Sequence, residues 1–329
     1  MQQRAFGKAD FTTSVIGLGT WPIGGGRYGP SDDEAAIRTI WTALELGVTC
    51  FDTAPSYGNG HAEELLGLAL QGHRSEVKIV TKGGLIWDKG SRIIGRDSSR
   101  RNLEAQIDAS LRRLMTDYVD LYLIHWPDPN TPFDETMAVL EDFVRAGKAR
   151  HIGVSNFNSA QLRSSIAALR EFPLAVNQVS FSLFDRRWQR ETFPTCRELG
   201  IAVMAYGPLA HGLLTDTFTG STVFDPSDWR SSGVLFGQAL LTPGNLERNL
   251  EVVAQLREIA RRLGITLPQL AIAWVLAHQP VATALVGART PAEISEATKA
   301  AGIQLNQEVL SEIEEVMRGA AGLSTELPV

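Results

Sequence analysis

The chain has 329 residues, 44% of them apolar and 21% charged, with a formal net charge of −6 at pH 7. That composition suits a globular protein able to bury a sizeable core, and the lack of any long Lys/Arg run argues against nucleic-acid binding. No window approaches the roughly 20 apolar residues that span a bilayer, and the first eight residues lack the apolar stretch of a signal peptide, so no membrane partner and a cytoplasmic location are expected.

In chain order, Val15-Ile16-Gly17-Leu18-Gly19 is the first strand-like run, followed by Thr20-Trp21-Pro22 and a glycine patch at residues 24–26. Ser31 with Glu34 three residues later predicts a capping box. The helix it opens carries Ile37, Ile40, Trp41 and Leu44 on one face and stops at Gly47. Val48-Thr49-Cys50-Phe51 predicts a short buried strand, which ends in Asp52 and leads through Pro55 to Tyr57 and Gly58. A helix over about 61–70 precedes a strand over 77–81 that ends in Lys82. The polar stretch 83–98 reads as a loop, and the next helix starts near Ser99 with Leu103, Ile107, Leu111 and Leu114 as its stripe.

The strand predicted over 119–124 ends in His125. A helix over about 134–146 follows, then a strand over 151–154 that ends in Ser155-Asn156, and a helix over about 159–170. Strand 174–179 contains Gln178, a helix lies near 189–199, and strand 201–205 ends in Tyr206. From 207 to 245 the pattern breaks into Gly, Ser, Thr, Asp and Pro, too long for a plain connector and suited to a lid or binding loop. Helical patterns resume over 246–263 and 267–277. Strand 282–286 ends in Gly287-Ala288-Arg289, and two short helices finish the chain.

Eight strands alternating with helices, with no hairpin signal, imply a parallel sheet with helical crossovers. The α/β architecture expected is a closed (β/α)8 TIM barrel, one domain over residues 1–329, with a long loop after the seventh strand and extra C-terminal helices. A doubly wound sheet is the weaker alternative, because no Gly-x-Gly-x-x-Gly fingerprint follows the first strand. Cys50 and Cys196 lie far apart in apolar segments and read as reduced core residues, so neither a disulfide nor a metal site is expected.

A barrel would gather Asp52, Lys82 and His125 at the C-terminal strand ends, where such folds build active sites. Each alone has a structural explanation, as a turn cap, a surface lysine or a core histidine; three strand ends in sequence point to one site. An ammonium beside Tyr57 would lower its phenol from the ordinary value near 10, and a buried carboxylate would keep that ammonium charged. Tyr57 then reads as a proton donor, with His125 directing the substrate oxygen or sharing the transfer. Reduction of a carbonyl also needs a hydride, which no side chain supplies, so a nicotinamide cofactor is required.

The stretches Phe51-Asp52-Thr53-Ala54-Pro55-Ser56-Tyr57-Gly58, Glu63-Glu64, Thr81-Lys82, Asp120-Leu121-Tyr122-Leu123-Ile124-His125-Trp126-Pro127 and Ile152-Gly153-Val154-Ser155-Asn156-Phe157 resemble the aldo-keto reductase signature. The resemblance covers about residues 4–318 and is nearest the bacterial branch of general stress and inositol-operon reductases. It implies a (β/α)8 barrel that reduces aldehydes or ketones with NADPH, and the catalytic tetrad Asp52, Tyr57, Lys82 and His125. By the same resemblance Ser155, Asn156 and Gln178 hold the carboxamide, with Asp52 close by, and Tyr206 stacks on the nicotinamide. Pro208, Leu209, Gly212 and Leu213 belong to the loop over the pyrophosphate, where His211 stands in place of the usual Arg or Lys.

Gly287, Ala288 and Arg289 match the segment that grips the adenosine 2′-phosphate, and Glu293 departs from the usual Gln or Arg. A carboxylate there would favour a free ribose hydroxyl, so NADPH is expected with NADH possible; the bland alternative is that Arg289 and Glu293 simply pair on a helix surface. Trp21, which also neighbours the cofactor, lines the substrate mouth with Trp126, Tyr57 and His125. The expected partner is a small aldehyde, ketone or alcohol, and a monomer is the default. Two other functions fit the same fold: a nicotinamide-binding redox sensor with little turnover, and a Schiff-base aldolase using Lys82.

Overall fold

Short runs of β-branched and aliphatic residues form strands that pair in parallel and close on themselves. The structure is a computed structural model and describes residues 1–328. An antiparallel pair, β1 (Gln3–Ala5) and β2 (Thr12–Ser14), comes first. The barrel begins with β3 (Ile16–Gly19), β4 (Cys50–Asp52) and β5 (Lys78–Gly83). A second antiparallel pair, β6 (Leu85–Trp87) and β7 (Ile93–Arg96), interrupts it. The barrel resumes with β8 (Val119–Ile124), β9 (Ala149–Ser155), β10 (Leu174–Ser180), β11 (Ala202–Tyr206) and β12 (Val281–Gly287), and β12 pairs with β3 to close the ring.

Helices α1 (Asp33–Glu45), α2 (His61–Ala69), α3 (Arg100–Arg113), α4 (Phe133–Arg145), α5 (Ser159–Ala168) and α6 (Thr192–Leu199) are the first six crossovers. The chain then adds α7 (Asn245–Arg262), followed by α8 (Leu267–Leu276), α9 (Pro291–Thr298) and α10 (Gln307–Met317), with α7 and α10 packed on each other. Among the described residues no single helix is long and apolar enough to cross a membrane. The parallel barrel, the long segment after its seventh strand and the extra helices agree with the sequence expectation.

Strand pleat divides the apolar residues into two shells. One set packs outward against the helices; a smaller inner set contains Cys50, Val80, Leu121, Leu123, Val176, Ala202, Met204 and Leu285, closed by Phe6 from the turn between β1 and β2. Both cysteines are free and buried, and burial pushes each thiol up to about 12, so they are inert core residues.

Three local expectations are corrected. The polar stretch after Lys82 is the β6–β7 hairpin, and a second hairpin precedes β3, although no hairpin was expected. The N-cap of α1 is Asp32, whose carboxylate accepts from Ala35 N at 3.0 Å; Glu34 pairs instead with Arg38, so Ser31 makes no capping box. The helix expected from about 189 begins at Thr192, after a separate 3-10 turn over Arg187–Gln189.

Candidate active site

The two-residue pleat that builds the inner core also aims the polar groups. Asp52 stands two residues beyond Cys50, Lys82 two beyond Val80, His125 two beyond Leu123, Gln178 two beyond Val176, and Tyr206 two beyond Met204. Each is therefore the next inward-facing residue toward the C-terminal mouth. Tyr57 arrives from the turn after β4, through a short segment in which Gly58 and Asn59 have positive φ.

Lys82 Nζ donates to both Asp52 oxygens at 2.8 Å, to the Thr53 carbonyl oxygen at 2.8 Å and to the Tyr57 hydroxyl at 3.3 Å. Gln178 Nε2 donates to Asp52 Oδ1 at 2.7 Å. The Tyr57 ring stacks on Trp21 with centroids 5.9 Å apart and meets His125 edge-on at the same separation. The four residues named from the sequence are thus one cluster. The Lys82 side chain has no exposed surface, which leaves Nζ unreachable for a substrate carbonyl and removes the structural basis for a Schiff base.

Burial raises the Asp52 carboxyl and lowers the Lys82 ammonium, and the contact between them counters both shifts. Burial, and then the Asp52 charge, hold the Tyr57 phenol well above its ordinary value, which corrects the expectation that Lys82 would lower it. His125 is held well below its ordinary value by burial and by Lys82. At neutral pH the cluster therefore presents a protonated phenol and a neutral imidazole. It can give a proton from Tyr57, and it can hydrogen-bond an oxygen through His125 without adding a charge.

Beside it, Ser155 Oγ donates to the Gln178 carbonyl oxygen at 2.8 Å, and Asn156 Nδ2 donates to Ser155 Oγ at 3.0 Å and to the His125 carbonyl oxygen at 3.1 Å. Tyr206 donates its hydroxyl to Asn156 Oδ1 at 3.0 Å, leaving its ring half-buried at the mouth. A neutral hydroxyl, two amides and an aromatic face form a polar, uncharged group beside the tetrad that could hydrogen-bond and stack a flat amide-bearing ring.

In the next loop Pro208 and Leu213 are buried, and the N–H groups of Gly212 and Leu213 turn inward to the Leu209 and Ala210 carbonyls. The His211 ring packs edge-on against Trp229 and tilted against Phe236, and burial pushes it down to about 4. It is neutral throughout the neutral range, so it lacks the charge that the usual Arg or Lys would bring to a phosphate.

Gly287 and Ala288 bring Arg289 to the rim, away from the cluster. Its guanidinium donates to the carbonyls of Tyr28 and Pro30, and among the described residues no carboxylate lies within ion-pair distance. Glu293 meets Arg289 only through the backbone, accepting from Arg289 N at 2.7 Å, so the two do not form the surface pair considered from the sequence. A cation held by neutral carbonyls fits a phosphate. Among the described residues no group of three or more His, Cys, Asp or Glu is placed to hold a metal ion.

Several residues of the mouth had no sequence assignment. Trp229 stacks on Trp21 at 5.3 Å, Phe236 leans on Tyr206 at 5.8 Å, and Tyr28 meets Trp21 edge-on at 4.9 Å. Trp229 and Phe236, two of the four aromatic residues inside the Gly-, Ser- and Asp-rich 207–245 segment, were the available signal. Trp126 is half-buried, with the Arg96 guanidinium 5.1 Å above its ring.

A parallel eight-stranded barrel with an Asp–Lys–Tyr–His cluster at its C-terminal mouth defines a class of barrel oxidoreductases. The profile of the Aldo/keto reductase family matches residues 15–318, and the chain belongs to that family. It is 36% identical over 320 residues to the aldo-keto reductase YhdN of Bacillus subtilis, covering 96% of this chain and 94% of that protein. It is 35% identical to the NADH-specific methylglyoxal reductase of Escherichia coli, covering 93% and 95% respectively. The solved glycerol dehydrogenase AKR11B4 of Gluconobacter oxydans superposes with a TM-score of 0.87 at 34% identity, covering 98% of this chain and 97% of that one.

Proposed function

We propose that this protein is a nicotinamide-dependent carbonyl reductase, reversible as an alcohol dehydrogenase, in which Tyr57 is the proton donor. The observation that carries the reading is the single cluster in which Lys82 Nζ bridges the Asp52 carboxylate and the Tyr57 hydroxyl. A bound nicotinamide supplies the hydride. Ser155, Asn156 and Gln178 would hold its carboxamide, Tyr206 its ring face, and Arg289 the 2′-phosphate of NADPH. Glu293, one helical turn from Arg289, leaves room for NADH, the cofactor in the name of the Escherichia coli relative.

The substrate oxygen would sit between His125 and Tyr57. Neutral His125 orients it by donating its one ring N–H, too weak an acid to be given up, which leaves the Tyr57 hydroxyl as the proton donor. Lys82 then stabilises the phenolate left behind, and Asp52 keeps the ammonium in place. The phenol is in its acid form at neutral pH, ready to give its proton, and because burial and Asp52 hold it well above its ordinary value the transfer depends on Lys82 stabilising the phenolate. Trp21, Trp126 and Trp229 would exclude water around a small aldehyde or ketone.

The test pairs binding with turnover. Tryptophan quenching should show saturable binding of NADPH, and of NADH more weakly, and the protein should reduce methylglyoxal. Tyr57→Phe should lower kcat by about 10²–10⁴-fold while cofactor affinity stays within twofold. Unchanged turnover in that variant would remove Tyr57 from its role. Tight binding with no turnover of any aldehyde would favour a redox sensor.

A further inference from the structure

A cavity of about 640 Å³ opens beside the cluster, between the segment after β8, the start of α5 and the C-terminal Leu327 and Pro328. It falls within the range of small-molecule sites, roughly 300–1,000 Å³. Asn156 forms part of its wall, and the same amide donates to the His125 carbonyl, so the cavity adjoins the site without containing the tetrad. Its polar lining includes Asn130, Thr131, Asn158 and Gln161, and one cation, Arg96 from the end of β7.

Arg96 makes no direct ion pair, although the charge of Asp128 in the same cavity wall acts on it. Among the described residues no carboxylate lies within ion-pair distance of it, and its one hydrogen bond is from Nη1 to the Pro127 carbonyl at 3.2 Å. Its planar head lies over Trp126, the residue next to His125. The acid nearest in the cavity wall, Asp128, is committed elsewhere: Oδ2 accepts from Ser98 N and Thr131 Oγ1, and Oδ1 from Asn130 N. Part-burial lowers Arg96 from its ordinary value, the Asp128 charge partly counters that, and the guanidinium stays charged at any working pH. A partly desolvated cation facing a polar cavity, with Nε and Nη2 free of partners, is equipped to take an oxyanion through two parallel hydrogen bonds.

We propose that Arg96 anchors the anionic tail of the substrate, so that this enzyme prefers small aldehydes or ketones carrying a carboxylate or phosphate over neutral ones. The proposal rests on the carbonyl-reductase reading and names the substrate class of that same site. The stack on Trp126 sets where the anion sits, and the wall shared with Asn156 directs the other end of the molecule toward His125 and Tyr57.

The experiment has a binding arm and a kinetic arm, both on the full chain. Calorimetry with inorganic phosphate and with succinate, in the presence of oxidised cofactor, should show binding that Arg96→Gln weakens tenfold or more and Arg96→Lys restores in part. The ratio of kcat/KM for succinic semialdehyde to butyraldehyde, and for glyceraldehyde 3-phosphate to glyceraldehyde, should exceed one and fall about tenfold in Arg96→Gln. The larger of the two ratios identifies carboxylate or phosphate as the tail. Absence of anion binding to the unmodified protein, or binding and ratios unchanged by Arg96→Gln, overturns the proposal. Failure of the reductase reading shows separately, as no reduction of any of the four aldehydes, and the calorimetry still decides Arg96.

Discussion

Asp52, Lys82 and His125 were legible because a strand presents alternate residues to one face, so a polar group two positions beyond a core residue must look into the barrel mouth. Their protonation was not legible. The sequence puts an ammonium beside a phenol; only the packed structure shows that burial outweighs it and leaves Tyr57 protonated. The protonation of His211 was hidden for the same reason, since its apolar surroundings come from Trp229 and Phe236, 18 and 25 residues further along. Its folded value near 4 lies below the ordinary 6.5, so the unfolded chain binds more protons between those two values and stability rises with pH across that window. Acidification from pH 6.5 to 4 should therefore cost at most about 3 kcal/mol through this ring. Urea melts of the protein and of His211→Gln across that range should differ by such an amount, and identical pH dependence would mean that His211 is not buried neutral.

At the level of elements, every barrel strand and crossover helix was readable from apolar periodicity, while the N-cap of α1 and the start of α6 were not. The β6–β7 hairpin was not, because Asp88, Lys89, Arg92 and Arg96 give it the composition of a loop while its backbone pairing supplies the order. The 207–245 segment was correctly read as irregular, yet its role in walling the mouth depends on which aromatic residues it carries there. Close strand contact is another feature sequence leaves open. A Cβ on Gly153 of β9 would come within 2.6 Å of Leu123 Cδ2 and Val176 Cγ1, on the strands at either side, and 2.9 Å of the Val176 carbonyl. Gly153→Ala should cost about 1–3 kcal/mol by overpacking, and because Ser155 ends the same strand and Asn156 follows it, the change should weaken cofactor binding as well. A thermal melt and a cofactor titration check both; a variant as stable as the parent would show that β8 and β10 yield freely.

For the molecule as a whole, closure joins the first barrel strand to the last, and the N-terminal hairpin seals the opposite end. Phe6 is fully buried in the inner shell, while Arg4 donates to the Leu276 and Val281 carbonyls. Phe6→Ala should destabilise the protein by about 3–5 kcal/mol and leave the affinity for cofactor nearly unchanged, because the cavity it opens lies at the far end of the barrel from Tyr57. Denaturant melts with parallel titrations test this; a loss of binding equal to the loss of stability would show that the two ends are coupled. The sequence by itself determined the alternation of strands and helices, and hence which polar residues stand at strand ends, since both follow from local periodicity. Only the tertiary structure decided which ionisable groups are buried neutral, which cation lacks a partner and what shape the mouth takes, because burial and charge pairing depend on residues far apart in the chain.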